Sequence, residues 1–179
     1  MRKILATLFA AALAIGVPAT AASADEGPTA STCSYTCTWQ GESAWASGAD
    51  FAGNNWAMYY KLQAKPGSEP WESTPIYAGQ HYLVGHAYFA PSGIKGKITI
   101  WVILDGPYGD GAYIVGGESV KVGYWTQDPG AIKNPPPGKF AYKGTAINNR
   151  YVGVTVPYDP KCSNYYAIHL DMQILSPSS

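Results

Sequence analysis

Three histidines, three cysteines, twelve acidic residues and six tryptophans hold most of the chemistry that this 179-residue chain could perform. His81 and His86 lie five apart on an extended run, so they face opposite sides and cannot share a ligand. His169 and Asp171 face the same side of the last alternating run, about 7 Å apart at the rise of a strand. That pair reads as the exposed polar face of an outer sheet, in preference to half of a metal site. Asp105 and Asp110, with glycines between them, resemble a loose calcium-type loop. Their spacing does not fit the EF-hand pattern, and a plain hairpin turn is the preferred reading. No G-x-S-x-G elbow occurs and no serine stands out as a nucleophile. The acidic residues single out no facing pair of the kind glycoside hydrolysis needs. The expectation is a protein that is not an enzyme, with no catalytic residue, no metal site and no cofactor.

Cys33, Cys37 and Cys162 are an odd set, so at least one thiol stays unpaired or bonds another molecule. One option ties Cys33 or Cys37 to Cys162. It would close a loop of more than about 100 residues and contribute roughly 4–5 kcal/mol in the chain-entropy model. A local Cys33–Cys37 bridge is the alternative. C-x3-C with one distant cysteine lacks the fourth ligand of a zinc site. The aromatics offer a stronger lead. Trp71, Trp101, Tyr108, Tyr113, Tyr124 and Trp125 fall in or near loops and outward strand positions. Exposed rings of this kind stack on sugars or anchor protein interfaces, which makes these six the candidate ligand-binding set.

The elements that must position these side chains follow from periodicity. Residues 1–24 have a basic start at Arg2 and Lys3, an apolar run over 4–17 and a small-x-small site at Ala22-Ser23-Ala24. That is the pattern of a secretory signal peptide, and the run is too short for a membrane span. Cleavage there predicts a released, extracellular product. Residues 25–40 read as a flexible arm bearing two cysteines, and residues 176–179 as a short polar tail. Between them, 41–175 reads as one domain. Alternating or apolar runs occur over 56–63, 76–78, 82–90, 97–104, 113–115, 118–124, 139–146, 151–156 and 165–174. In the clearest, Ile98, Ile100, Val102 and Leu104 share one face, while Trp101 and Ile103 on the other face predict cover by a loop or an interface. Gly116-Gly117 marks a bulge or kink, and Asn148-Asn149 a hairpin turn. The prolines of 128–138 exclude a central strand and predict a surface connection. Seven or eight strands with no helical period predict an all-β antiparallel sandwich, with a closed barrel as runner-up.

Several segments together resemble a recurring β-rich module of secreted bacterial proteins. Glu42-Ser43-Ala44-Trp45-Ala46 is similar to its E-T/S-A-W-A opening. Asn55-Trp56-Ala57-Met58-Tyr59 is similar to its N-W-A-T-Y element. Tyr77-Ala78-Gly79-Gln80 with Val84-Gly85 resembles its A-G-Q…V-G strand entry, and Lys97-Ile98-Thr99-Ile100 its central strand. Pro135-Pro136-Pro137-Gly138-Lys139-Phe140-Ala141-Tyr142-Lys143-Gly144 resembles its P-A-P-G-Q-F-x-Y-K-G connection. The likeness spans roughly 41–174. It implies a single extracellular β-rich module and no activity or catalytic residue. The chain departs from the module over 108–117, and the cysteine-bearing arm lies outside the match.

Charge narrows the partners. Twelve basic residues, two of them in the leader, balance twelve acidic ones, and no lysine-rich stripe exists to neutralise phosphates. Nucleic acid and membrane insertion are excluded as expectations. Other extracellular proteins, copies of this chain and polysaccharide remain. The expected function is a secreted, non-catalytic sandwich for adhesion, matrix or surface assembly, self-associating through its arm. A carbohydrate-binding module using exposed aromatics is the alternative.

Overall fold

The computed structural model describes residues 37–63 and 72–177. Within them the chain is all β apart from one-turn 3-10 segments at Gly109–Gly111 and Pro137–Lys139. The strands are β1 (Cys37–Ala46), β2 (Ala49–Asp50), β3 (Met58–Leu62), β4 (Glu72–Ala78), β5 (Tyr82–Pro91), β6 (Lys97–Ile103), β7 (Ala112–Ile114), β8 (Val120–Trp125), β9 (Tyr142–Gly144), β10 (Tyr151–Pro157) and β11 (Asn164–Pro177). The count exceeds the expected seven or eight chiefly because β1 and the two-residue β2 were not anticipated; the short β7 and β9 fall at the runs expected over 113–115 and 139–146.

All ladders are antiparallel. One layer runs β10-β6-β5-β4 and passes through the end of β1 into a second layer around β11. The long β11 pairs with β1 along one edge and with β8 and then β7 along the other, and β3 joins it near its start. Alternation builds the space between the layers. Ile98, Ile100 and Val102 of β6, Val152, Val154 and Val156 of β10, and Ile168, Leu170 and Met172 of β11 are buried together with Ile76, Phe89, Val120 and Val122. This is the expected antiparallel sandwich packing. The sheet is open: its end strands β9 and β10 meet through the Asn148-Asn149 turn and a bridge between Ile147 and Tyr151, not through a closing ladder. Both turn asparagines have positive φ, which matches the twist of a tight hairpin.

Several boundaries move. β1 begins at Cys37, inside the span read as an arm, and β11 runs to Pro177, inside the span read as a tail; the two ends pair with each other. Trp101 and Ile103 are each 37% exposed, with no covering loop among the described residues. Cys37 and Cys162 are free and exposed. Cys37 pairs in register with Pro177, whereas Cys162 precedes Asn164, so β11 separates them by about 40 Å along the strand. A disulfide needs Cα atoms within roughly 7 Å. Of the pairings left open, Cys37–Cys162 is therefore excluded within one chain. Cys33, Trp71, the leader and most of the arm lie outside the described residues.

The central position of β11 yields a stability prediction. Leu170 is fully buried, and its replacement by alanine is expected to cost about 3 kcal/mol. Tyr166 is also fully buried and donates its hydroxyl to the Pro157 carbonyl at 2.8 Å, so Tyr166→Phe should cost about 1 kcal/mol. Urea unfolding checks both; an unchanged midpoint for Leu170→Ala would contradict the assignment of β11 to the core.

Candidate functional site

The outer face of β1 and β11 carries a second, smaller cluster instead of bare polar residues. Trp45, Tyr165 and Ala167 point outward and are covered by Phe51, Ala57, Tyr59 and Phe140, with Trp56, Met58 and Trp125 around them. The cover comes from the segment around β2 and β3 and from the proline-rich connection. Proline supplies no N–H to a ladder, so this connection lies over the sheet instead of joining it. Three contacts pin the two covering segments together. The Ala52 N–H donates to the Gly130 carbonyl at 2.9 Å, and the Asn134 N–H donates to the Ala52 carbonyl at 3.0 Å. The Tyr59 hydroxyl donates to Asp128 Oδ1 at 2.7 Å, and within the connection itself the Gly130 N–H donates to the same oxygen at 2.9 Å. The shared hydrogen bond and burial push the Tyr59 hydroxyl up to about 12, and the same bond lowers the Asp128 carboxyl. Gly53 has positive φ, and a Cβ there would stand 2.3 Å from the Asn134 side chain, so this crossing needs glycine.

Beside this cover lies a cavity of about 680 Å³. Trp45, Trp56 and Phe51 supply its aromatic wall, Pro135 and Pro137 its rim, and Ser43, Asp50, Asn54, Asn55, Gln80 and His169 its polar groups. Two of these residues are held at a cost. Gln80 has φ of 68° in the Gly79-Gln80 turn between β4 and β5, a conformation that disfavours a residue with a Cβ. His169 is only 6% exposed, and its Nδ1, shielded from solvent, has no hydrogen-bond partner. The Trp45 ring stands edge-on at 4.8 Å between centroids. Asp171 Oδ1 lies 3.6 Å from Nδ1, beyond hydrogen-bond range, and its other oxygen is engaged by the Lys121 ammonium. Burial pushes the His169 imidazole down to about 4, with Asp171 opposing the shift and Lys121 reinforcing it. The imidazole is therefore neutral near pH 7. His169 and Asp171 do share a face, but His169 is buried beside a cavity, which corrects the reading of an exposed polar face.

The six candidate aromatics do not converge. Tyr113 stands on β7 against Trp39 of β1, with ring centroids 4.9 Å apart. Tyr108 packs on Tyr82 beside a smaller cavity that Leu175 also lines. Trp101 lies across Gly153 on the outer face of the opposite layer. Tyr124 stacks on the core residue Tyr166, and Trp125 packs between Phe51 and Phe140. Trp71 is outside the described residues. The cavity's own aromatics, Trp45 and Trp56, were legible only as parts of the motif resemblance.

The other chemical candidates are occupied by side-chain contacts. Asp105 accepts from the Tyr88 hydroxyl and lies 2.7 Å from His86 Nδ1. Asp110 accepts from Arg150 at 3.2 Å. The Asp159 contact raises the Cys162 thiol, which makes its nucleophilic thiolate scarcer. No cluster of three or more metal-ligating side chains occurs among the described residues.

His169 generates a pH prediction. Its folded-state pKa is depressed, so between about 6.5 and 4 the unfolded chain binds a proton that the folded chain refuses. Stability should fall as pH drops through that window, by about 3 kcal/mol in total from this group, and the contribution should level off below it. Unfolding free energies of the native protein and His169→Gln across pH 4–7 check this; parallel curves would contradict it. A scan against protein-family models matches none of them, and no curated protein and no solved structure is significantly similar to the chain, so the geometry of the cavity carries the functional reading.

Proposed function

We propose that this protein is a secreted, non-catalytic module that serves extracellular adhesion or matrix assembly by holding a neutral polysaccharide in the Trp45–Trp56 cavity. The observation that carries the reading is the unpartnered, buried His169 beside an aromatic wall in a cavity whose other polar groups are amides, a hydroxyl and the Asp50 carboxylate. Sugars offer apolar C–H faces for rings and many hydroxyls for amide, carboxylate and imidazole groups. A hydroxyl is the partner a neutral imidazole lacks here. The only formal charge on the lining is Asp50, and no lysine or arginine reaches it, which disfavours an acidic ligand. Gln80 supports the reading too, since strain of this kind gathers where a side chain serves binding.

A second reading has its own observation. On the side of β1 away from β11, β4 pairs only with Ala44, Trp45 and Ala46, which leaves the edge over residues 37–42 without a strand among the described residues. A strand from another copy could add there, as expected of a self-associating arm. Concentration-dependent size-exclusion chromatography tests it; a monomer at all concentrations would dismiss it.

The primary reading is tested by affinity electrophoresis in gels containing xylan, galactomannan, dextran or hydroxyethylcellulose. At least one should retard the protein. Trp56→Ala should weaken that retention about tenfold, corresponding to about 1.4 kcal/mol. Gln80→Gly should weaken it as well while leaving the fold at least as stable, because glycine accepts positive φ. Retention by none of the four, or full retention of both variants, would overturn the assignment.

A further inference from the structure

The cavity does not end at Ser43. Outward residues of β1 and β11 face each other in register as Trp45 with His169, Ser43 with Asp171, Gly41 with Gln173 and Trp39 with Leu175. A second depression of about 380 Å³, lined by Gly41, Glu42, Ser43, Asp171 and Gln173 with Val115 and Met172, shares Ser43 with the first. The two adjoin at Ser43 and follow one another along the strand direction, as a trough would. Its floor is low at Gly41, where a Cβ would meet nothing within 4 Å. Its far end is another aromatic pair. Trp39 is 49% exposed and stands edge-on to Tyr113, whose hydroxyl donates to Gln173 Oε1 at 2.6 Å. Six residues of strand separate Trp39 from Trp45, or about 20 Å.

We infer that the ligand is a linear polysaccharide bound as an extended chain of several sugar units along β1, held by Trp56 in front of the buried Trp45 at one end and by Trp39 at the other. The inference rests on the polysaccharide reading and deepens it. Aromatic surfaces at both ends of a straight, low-floored path suit a polymer lying across the sheet. A pocket for a single sugar or a chain terminus would need only the first cavity. The polar groups along the path disfavour an anionic chain: Asp171 is paired with Lys121, the Glu42 carboxylate accepts from the Ser43 N–H, and Ser43, Gln173 and His169 offer uncharged hydrogen-bonding groups. The Asp171–Lys121 pair also keeps a carboxylate beside the path without presenting an unpaired cation.

Gly41 makes the test selective. Gly41→Arg places a long side chain into the trough, and glycine's replacement within a strand carries no packing penalty where no atom lies within reach. Isothermal titration with the disaccharide and hexasaccharide of the polysaccharide that retards the native protein gives the readout. The native protein is expected to bind the hexasaccharide at least tenfold more tightly than the disaccharide. Gly41→Arg and Trp39→Ala should erase that advantage, leave disaccharide affinity unchanged and melt within a degree or so of the native protein. Equal affinity for both lengths, or an undiminished hexasaccharide advantage in Gly41→Arg, would overturn the extended trough while leaving the first cavity's role intact. Absence of binding to either sugar, with no retention in any gel, would overturn the polysaccharide reading itself and this inference with it.

Discussion

The strict two-residue alternation of β11 is the constraint on which the rest of the structure depends. Its even-numbered residues, from Tyr166 to Ile174, close the sandwich core. Its odd-numbered residues, from Tyr165 to Gln173, build the outer cluster, the cavity and the trough. A slip of one residue would exchange these sets and place His169, Asp171 and Gln173 in the core. Burying unpaired polar groups there would cost several kcal/mol, so the same ladder that stabilises the fold also fixes the orientation of the site. Ladders on both edges of the strand hold that register: β1 on one side, and β8 and β7 on the other.

Around this fixed face, the protein assembles a wall from chain that cannot join the sheet. The proline-rich connection contributes Pro135, Pro137 and Phe140, and the Asp128 hub holds it against Tyr59. The resulting cover buries one side of His169 without giving its Nδ1 a partner. Two local costs, the unsatisfied imidazole and the positive φ of Gln80, therefore border the same cavity. Their coincidence is hard to explain by packing alone, because asparagine or glycine would suit the turn and an apolar residue would suit the position beside Trp45.

The fold was legible wherever alternation was strong. β6 and β11 advertise their inner faces through Ile98, Ile100 and Val102 and through Ile168, Leu170 and Met172. The Asn148-Asn149 turn was legible, but not the hairpin expected around it, because β9 pairs with β8 and β10 with β6. β1 was not legible as a strand. Its inward positions begin with Thr38, Gln40 and Glu42, and apolar burial on that face starts only at Ala44, so no two-residue period stands out. The site inherited that gap, because Trp39, Gly41, Ser43 and Trp45 all lie on β1. Aromatic content pointed toward ring-stacking, yet sequence cannot tell Trp125, wedged between Phe51 and Phe140, from Trp39, half in solvent. His169 carried the right signal in the wrong setting. The strand pattern put it outward, but the covering loops that bury it come from residues far away in the chain.

The most direct test of the central claim uses the six tryptophan indole N–H groups as reporters. Their resonances, together with the His169 ring nitrogens, can be followed by NMR while the protein is titrated with the hexasaccharide of the retained polysaccharide. A polysaccharide lying along β1 should shift Trp39, Trp45, Trp56 and His169 in one saturable process and leave Trp101, on the opposite layer, unmoved. Shifts centred on Trp101, or none at Trp39, Trp45, Trp56 and His169, would contradict the account.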